Sequence, residues 1–137
     1  QGYGVLTTSK HTYQGAFQDN LPHGHGIKRY RGGDIYEGLF RRNQRHGFGK
    51  YVWFATQDSY VGEWNGNRME GKGTMVWKSS GEMYQGEWRD GRMHGLGTKR
   101  MACGSVYDGM WANGKASGWG RKAFDCGDVH EGLYRDD

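Results

Sequence analysis

Residues 84–97 read Tyr84-Gln85-Gly86-Glu87-Trp88-Arg89-Asp90-Gly91-Arg92-Met93-His94-Gly95-Leu96-Gly97. Tyr84, Gly86 and Trp88 alternate with Gln85 and Glu87, which is the two-residue period of a β-strand. Gly95 and Gly97 repeat that alternation beyond a turn centred near Asp90-Gly91. The stretch therefore predicts a β-hairpin with aromatics on one strand and glycines on the other. A lone hairpin is too small to stand in water, so its meaning lies in its copies.

Composition agrees with an unusual β protein. Glycine supplies 26 of 137 residues and proline only one, which excludes collagen and a Pro/Gly linker. Aromatics reach 15% while all hydrophobics make up 34%. A disordered tail would lack the aromatics, so burial falls to Tyr and Trp, each able to bury about 150–250 Å². Apolar runs are too short for a transmembrane helix, and no signal peptide or lipidation motif is visible. Two cysteines and no Asn-x-Ser/Thr site favour an intracellular chain. The net charge of +4 and pI near 9.1 permit only a soft attraction to acidic surfaces.

The hairpin pattern recurs along the whole chain. Tyr13, Tyr36, Tyr60, Tyr84, Tyr107 and His130 head units of 23, 24, 24, 23 and 23 residues. Taking each as offset 0, glycine follows at offset 2 and Phe17, Phe40, Trp64, Trp88, Trp111 or Tyr134 at offset 4. Offset 7 holds Asn20, Asn43, Asn67, Gly91 or Gly114, the types that take positive φ most cheaply. Glycine pairs close each unit at offsets 11 and 13, as in Gly95 and Gly97. The chain divides into a partial repeat 1–12, repeats 13–35, 36–59, 60–83, 84–106 and 107–129, and a partial repeat 130–137, all one array. Each repeat reads strand, turn, strand, connector, with no helical period anywhere. Ala55-Thr56 interrupts the glycine pattern of the connectors. Gln1 falls inside an earlier unit and Asp136-Asp137 inside the turn of a sixth. The open sheet edges at both ends predict a segment of a longer protein, or ends that meet partners.

Alternation assigns the faces. Offsets 0, 2 and 4 share one face, joined by offsets 11, 13, 15 and 17 of the second strand. Offset 17 adds Tyr30, Trp53, Trp77, Met101 and Phe124. The other face carries Glu, Gln, Lys and Arg with scattered Phe48, Leu96 and Trp119. Strand-interior glycine weakens a sheet; here it lets a neighbouring ring lie across bare backbone. Each unit then leans chiefly on its neighbours.

The spacing Y-x-G-x-W-x-x-G-x-x-x-G-x-G of Tyr84–Gly97 and Tyr107–Gly120 resembles the MORN repeat (membrane occupation and recognition nexus) across essentially the whole chain. The resemblance implies an all-β, elongated, single-layer twisted antiparallel sheet with an aromatic groove. It implies a non-enzymatic scaffold in a cytoskeletal or ciliary assembly, binding an amphipathic helix, an extended peptide or another copy. It also implies phosphoinositide binding, or service as the accessory module of an enzyme whose catalytic domain lies elsewhere. Departures from the repeat are His130 for Tyr, Phe17 and Phe40 for Trp, and Glu70 and Ser117 where other units carry His.

Trp and Tyr are the usual anchors of interfaces, and a one-layer sheet leaves part of the aromatic face open even as the rings cover their own glycines. The expected partner-binding residues are Tyr36, Phe40, Trp53, Tyr60, Trp64, Trp77, Tyr84, Trp88, Tyr107 and Trp111. The rival lipid-binding stripe would use Lys28, Arg29, Lys99, Arg100, Arg121 and Lys122, balanced by Glu63, Glu87, Asp90 and Asp108. His23, His46 and His94 share one offset, but equivalent residues two strands apart are about 9.6 Å distant, too far to share one ion. The same spacing leaves Cys103 and Cys126 as free thiols. No G-x-G pair opens a helix, and no catalytic set stands out. Neither cofactor, metal, small-molecule substrate nor nucleic acid is expected; rings lying on glycine are not free to stack on bases.

Overall fold

The computed structural model describes residues 2–135. Gln1 and Asp136-Asp137, on which the terminal partial repeats in part rest, lie outside the described residues. The strands are β1 (Gly2–Thr7), β2 (His11–Gln18), β3 (Leu21–Tyr30), β4 (Ile35–Arg41), β5 (Gln44–Val52), β6 (Ser59–Asn65), β7 (Arg68–Trp77), β8 (Glu82–Arg89), β9 (Arg92–Arg100), β10 (Val106–Ala112), β11 (Lys115–Ala123) and β12 (Val129–Tyr134). They form one antiparallel sheet of twelve strands in chain order. No helix occurs among the described residues.

Each intra-unit turn carries two consecutive residues at positive φ, such as Arg42 at 48° and Asn43 at 68°, or Asp90 at 49° and Gly91 at 77°. That is the mirror-image turn whose twist matches the flanking strands. The sequence marks the second position by its Asn or Gly; Arg42 gives no such signal and is held there by the closing strands.

Register corrects the reading of one glycine column. In the β8–β9 hairpin Gly86 faces Gly97, but the next pair is Trp88 with Met93. His94, Gly95 and Leu96 thus oppose the single residue Glu87. The extra residues bulge, and Gly95 adopts φ 67°. A Cβ on Gly95 would strike the Glu87 carboxylate, a side chain of the opposite face. The offset-11 glycines therefore do not join the aromatic face; they let the bulge form. Glu63 and Glu87 complete it by accepting N–H bonds from Lys72 at 3.0 Å and Leu96 at 3.2 Å. The pairing between units, Gly95 with Trp111 for example, runs without a shift.

The glycines at offsets 2 and 13 of the five complete repeats are required for space. A Cβ on Gly97 would fall inside the Tyr84 ring, and one on Gly86 would meet the Gly97 backbone. The tyrosine lies flat over its own unit's second strand. Its hydroxyl donates to the carbonyl of the residue three further on, as Tyr84 does to Glu87 at 2.9 Å and Tyr36 to Leu39 at 2.8 Å. The tryptophan reaches back to the preceding unit: Trp88 Nε1 donates to Gly73 O at 3.0 Å, and Trp111 Nε1 to Gly97 O at 3.1 Å. Rings stack edge to face in a zigzag, Tyr60–Trp88–Tyr84–Trp111, with centroids 5.1 to 5.4 Å apart. This ladder is the core, with Tyr36, Tyr60 and Tyr84 at 0% exposure.

Connector chemistry explains the difference between 23- and 24-residue units. In the shorter units the connector closes over three residues, as Gly104 N–H to Met101 O at 2.9 Å. The two longer units close over four, Gln57 N–H to Trp53 O at 2.7 Å and Gly81 N–H to Trp77 O at 2.8 Å. Gln57, at φ 62°, takes the left-handed role that glycine plays in the other connectors. The extra residue at Ala55-Thr56 is absorbed there without disturbing the sheet.

Candidate functional site

The aromatic face has two tiers. The lower is the ladder itself, and of the ten rings expected to meet a partner it takes eight: Tyr36, Phe40, Tyr60, Trp64, Tyr84, Trp88, Tyr107 and Trp111, each at most 5% exposed. These eight rings are therefore not the open part of the face. Lying flat on glycine, each tyrosine is roofed by two neighbouring rings, so the single sheet builds its own second layer from side chains. Trp53 and Trp77 stand higher, packed against the ladder but partly exposed, in a row with Tyr30 and Met101. Phe124 continues that row at 37% exposure.

Burial marks the tyrosines electrostatically. Desolvation raises the phenol of Tyr36, Tyr60 and Tyr84, and pushes Tyr13 up to about 12. All are neutral apolar plates with one spent hydroxyl donor, which suits structure and offers no acid–base chemistry near neutral pH.

Cations crown this face. Lys28 Nζ lies 5.4 Å from the Tyr30 ring, Lys99 Nζ 5.2 Å from Trp77 and Lys122 Nζ 4.9 Å from Phe124. Burial lowers the pKa of Lys28, with the nearby Arg45 charge as the second cause. Arg45 was not singled out from sequence. Its guanidinium sits 4.8 Å over Trp64 and donates to Tyr30 Oη at 2.7 Å and Asn67 O at 2.9 Å. Its column runs Pro22, Arg45, Met69, Met93, Ala116, with no common chemistry to betray a shared place. Alternation past the turn was the only available signal.

The lipid-binding stripe does not assemble. Successive strand residues point to opposite faces, so Lys28, Lys99 and Lys122 line the aromatic face while Arg29, Arg100 and Arg121 lie exposed on the other. Arg121 Nε also pairs with Glu131 at 3.5 Å. The six residues therefore present two separate trios.

The scattered apolar residues of the outer face lie in the open. Phe48, Leu96 and Trp119 are about 60% exposed, at 60%, 59% and 62%. Phe48, Val61 and Leu96 border a shallow trough of about 510 Å³ floored by Gly62, Gly73 and Gly86. Cys103 and Cys126 are free and exposed. Hydrogen bonding with Ser105 lowers the Cys103 thiol pKa. No group of three or more His, Cys, Asp or Glu placed to hold a metal occurs among the described residues. No helix there is long and apolar enough to cross a membrane.

The chain's fold is similar to that of the SAS-4 (dCPAP) TCP domain of Drosophila melanogaster, solved in complex with a proline-rich motif of Ana2 (dSTIL). The TM-score is 0.52 at 12% identity, over 96% of this chain and 78% of that one. At that identity the likeness concerns the fold. The MORN repeat family matches at residues 13–35, 36–54, 60–82, 84–102 and 107–124. Each match begins on a ring of the ladder and runs through the bulge glycine to the connector, and on that ground the chain belongs to the MORN repeat family.

Proposed function

We propose that this protein is a non-catalytic scaffold that holds a peptide segment of a partner protein on its aromatic face. The observation that carries this reading is the upper tier: Trp53, Trp77 and Met101 stand partly open over a fully packed layer. Rings fixed from below lose little entropy on binding, which is what an anchor needs. The cations beside them add orientation and specificity more than affinity. The TCP domain, a sheet of similar fold solved with a proline-rich motif, supports the peptide reading. The family resemblance extends it to a cytoskeletal or ciliary assembly inside the cell, with a second copy as a further partner.

Affinity capture from cells with the wild-type chain and with a Trp53→Ser/Trp77→Ser variant tests it. Both residues are partly exposed, so the variant keeps the β-sheet signature in circular dichroism. Partners retained by the wild type are lost by the variant. Capture that survives this change, yet disappears on replacing Phe48 and Leu96, assigns binding to the outer face and refutes the reading.

A further inference from the structure

The fifth unit departs from the others at one place on the aromatic face. Pro22, Arg45, Met69 and Met93 stand across from Phe17, Phe40, Trp64 and Trp88. Across from Trp111 stands Ala116. A methyl group replaces a longer side chain, and a hollow of about 310 Å³ opens beside Trp111, Tyr107, Met101 and Tyr134. Its floor is firm, since Tyr107, Trp111 and Ala116 are 1%, 5% and 6% exposed. In the preceding unit Met93, packed against the ladder, takes the equivalent place beside Trp88.

Among the described residues, charge around the hollow has one sign: Lys99, Lys115 and Lys122 border it, and no described carboxylate lines it. Glu82 lies 3.9 Å from Lys99 Nζ, and its other oxygen already accepts the Ala102 N–H at 3.2 Å. Lys122 Nζ is held over the Phe124 ring. A basic partner would bring like charges together at a partly desolvated site, whereas carboxylates would find waiting ammonium groups.

We infer that this hollow is the anchor point of the partner segment: it takes one large apolar side chain whose sequence neighbours are Asp or Glu. This rests on the reading that the aromatic face binds a peptide, and names the chemistry of that peptide. The apolar side chain fills the space that Met93 occupies one unit earlier, against a Trp and a Tyr, and the flanking carboxylates meet Lys99, Lys115 and Lys122. Anchors of this kind, a pocketed apolar residue ringed by polar contacts, dominate binding energy.

The test is selection of a random-peptide display library on the whole chain, followed by fluorescence anisotropy of the enriched peptides. Ala116→Met refills the hollow with the residue type that unit four already uses, and Lys122→Glu reverses a rim charge. The expected consensus is an aromatic or long aliphatic residue flanked by Asp or Glu. Ala116→Met weakens its binding by about tenfold or more, Lys122→Glu weakens it as well, and added salt lowers it. Should Ala116→Met fail to fold, Lys122→Glu carries the same test alone. A consensus without acids, or affinity indifferent to both changes, overturns the inference. If such peptides are instead lost on Trp53→Ala/Trp77→Ala, the aromatic-face reading stands and only the anchor falls. A library that enriches nothing, or only peptides indifferent to every one of these changes, overturns both.

Discussion

Replacing Gly97 by Ala isolates the contact between ring and backbone on which the sheet depends. A Cβ there would lie inside the Tyr84 ring, touching Oη, Cζ and Cε1 together. The strand cannot retreat, because Gly97 is paired with Gly86 on one side and Gly109 on the other. The ring must leave, and with it go the Glu87 hydrogen bond and the edge contacts to Trp88 and Trp111. Burying a tyrosine removes about 150–250 Å² from water, worth roughly 4–6 kcal/mol at about 25 cal/mol per Å². A ring half displaced forfeits about 2–3 kcal/mol of that, and the unsatisfied carbonyl adds about 1 kcal/mol or more. Against this, alanine stiffens the unfolded chain by only about 0.4–1 kcal/mol. Gly97→Ala is therefore expected to cost about 2–4 kcal/mol in urea unfolding followed by tryptophan fluorescence. Gly32→Ala is the control, since a Cβ there meets nothing within 4 Å; its effect stays within about 0.5 kcal/mol. If Gly97→Ala unfolds at the same urea concentration as Gly32→Ala, the ring-on-glycine account is wrong.

Three further expectations follow from the same geometry. Tyr84→Phe keeps the ring and removes the donor to Glu87 O, so it costs about 1–3 kcal/mol with unchanged circular dichroism; a neutral result would mean that water replaces the hydroxyl. Tyr13, Tyr36, Tyr60 and Tyr84 have folded pKa values above the unfolded value of 10.0. The native state then holds protons that the unfolded state has released, so stability is full below pH 10 and falls as pH rises toward the folded values. Ultraviolet titration should show these phenols ionising only as the sheet opens; early ionisation with the fold intact would contradict their burial. Arg42 occupies φ 48° with no side-chain reason, so Arg42→Gly should be neutral to stabilising by about 1 kcal/mol; clear destabilisation in thermal melts would show that the guanidinium contributes to the turn.

Much of this protein was legible in its sequence because the array repeats one tile. Tyr84, Gly86, Trp88 and Gly97 recur at fixed offsets, and two-residue alternation places them without knowledge of the third dimension. The hairpins, the turns at Asn43 or Gly91, the absence of helical periodicity and the pairing of rings with glycines all follow from that local pattern. What alternation could not carry was the bulge. Three residues opposing Glu87 turn Gly95 away from the aromatic face, and only strand pairing reveals it. Burial was equally hidden. Sequence exposes a ring to whichever face it points to, whereas neighbouring units decide that Tyr84 is roofed and Trp77 remains partly open. The same holds for Arg45 and Ala116, whose column has no common residue type. Their roles come from what the adjacent strands bring to them: three rings around Arg45, and a hollow ringed by lysines beside Ala116. A repeating tile fixes direction by covalent geometry, but exposure depends on the tiles to either side, which only the assembled sheet supplies.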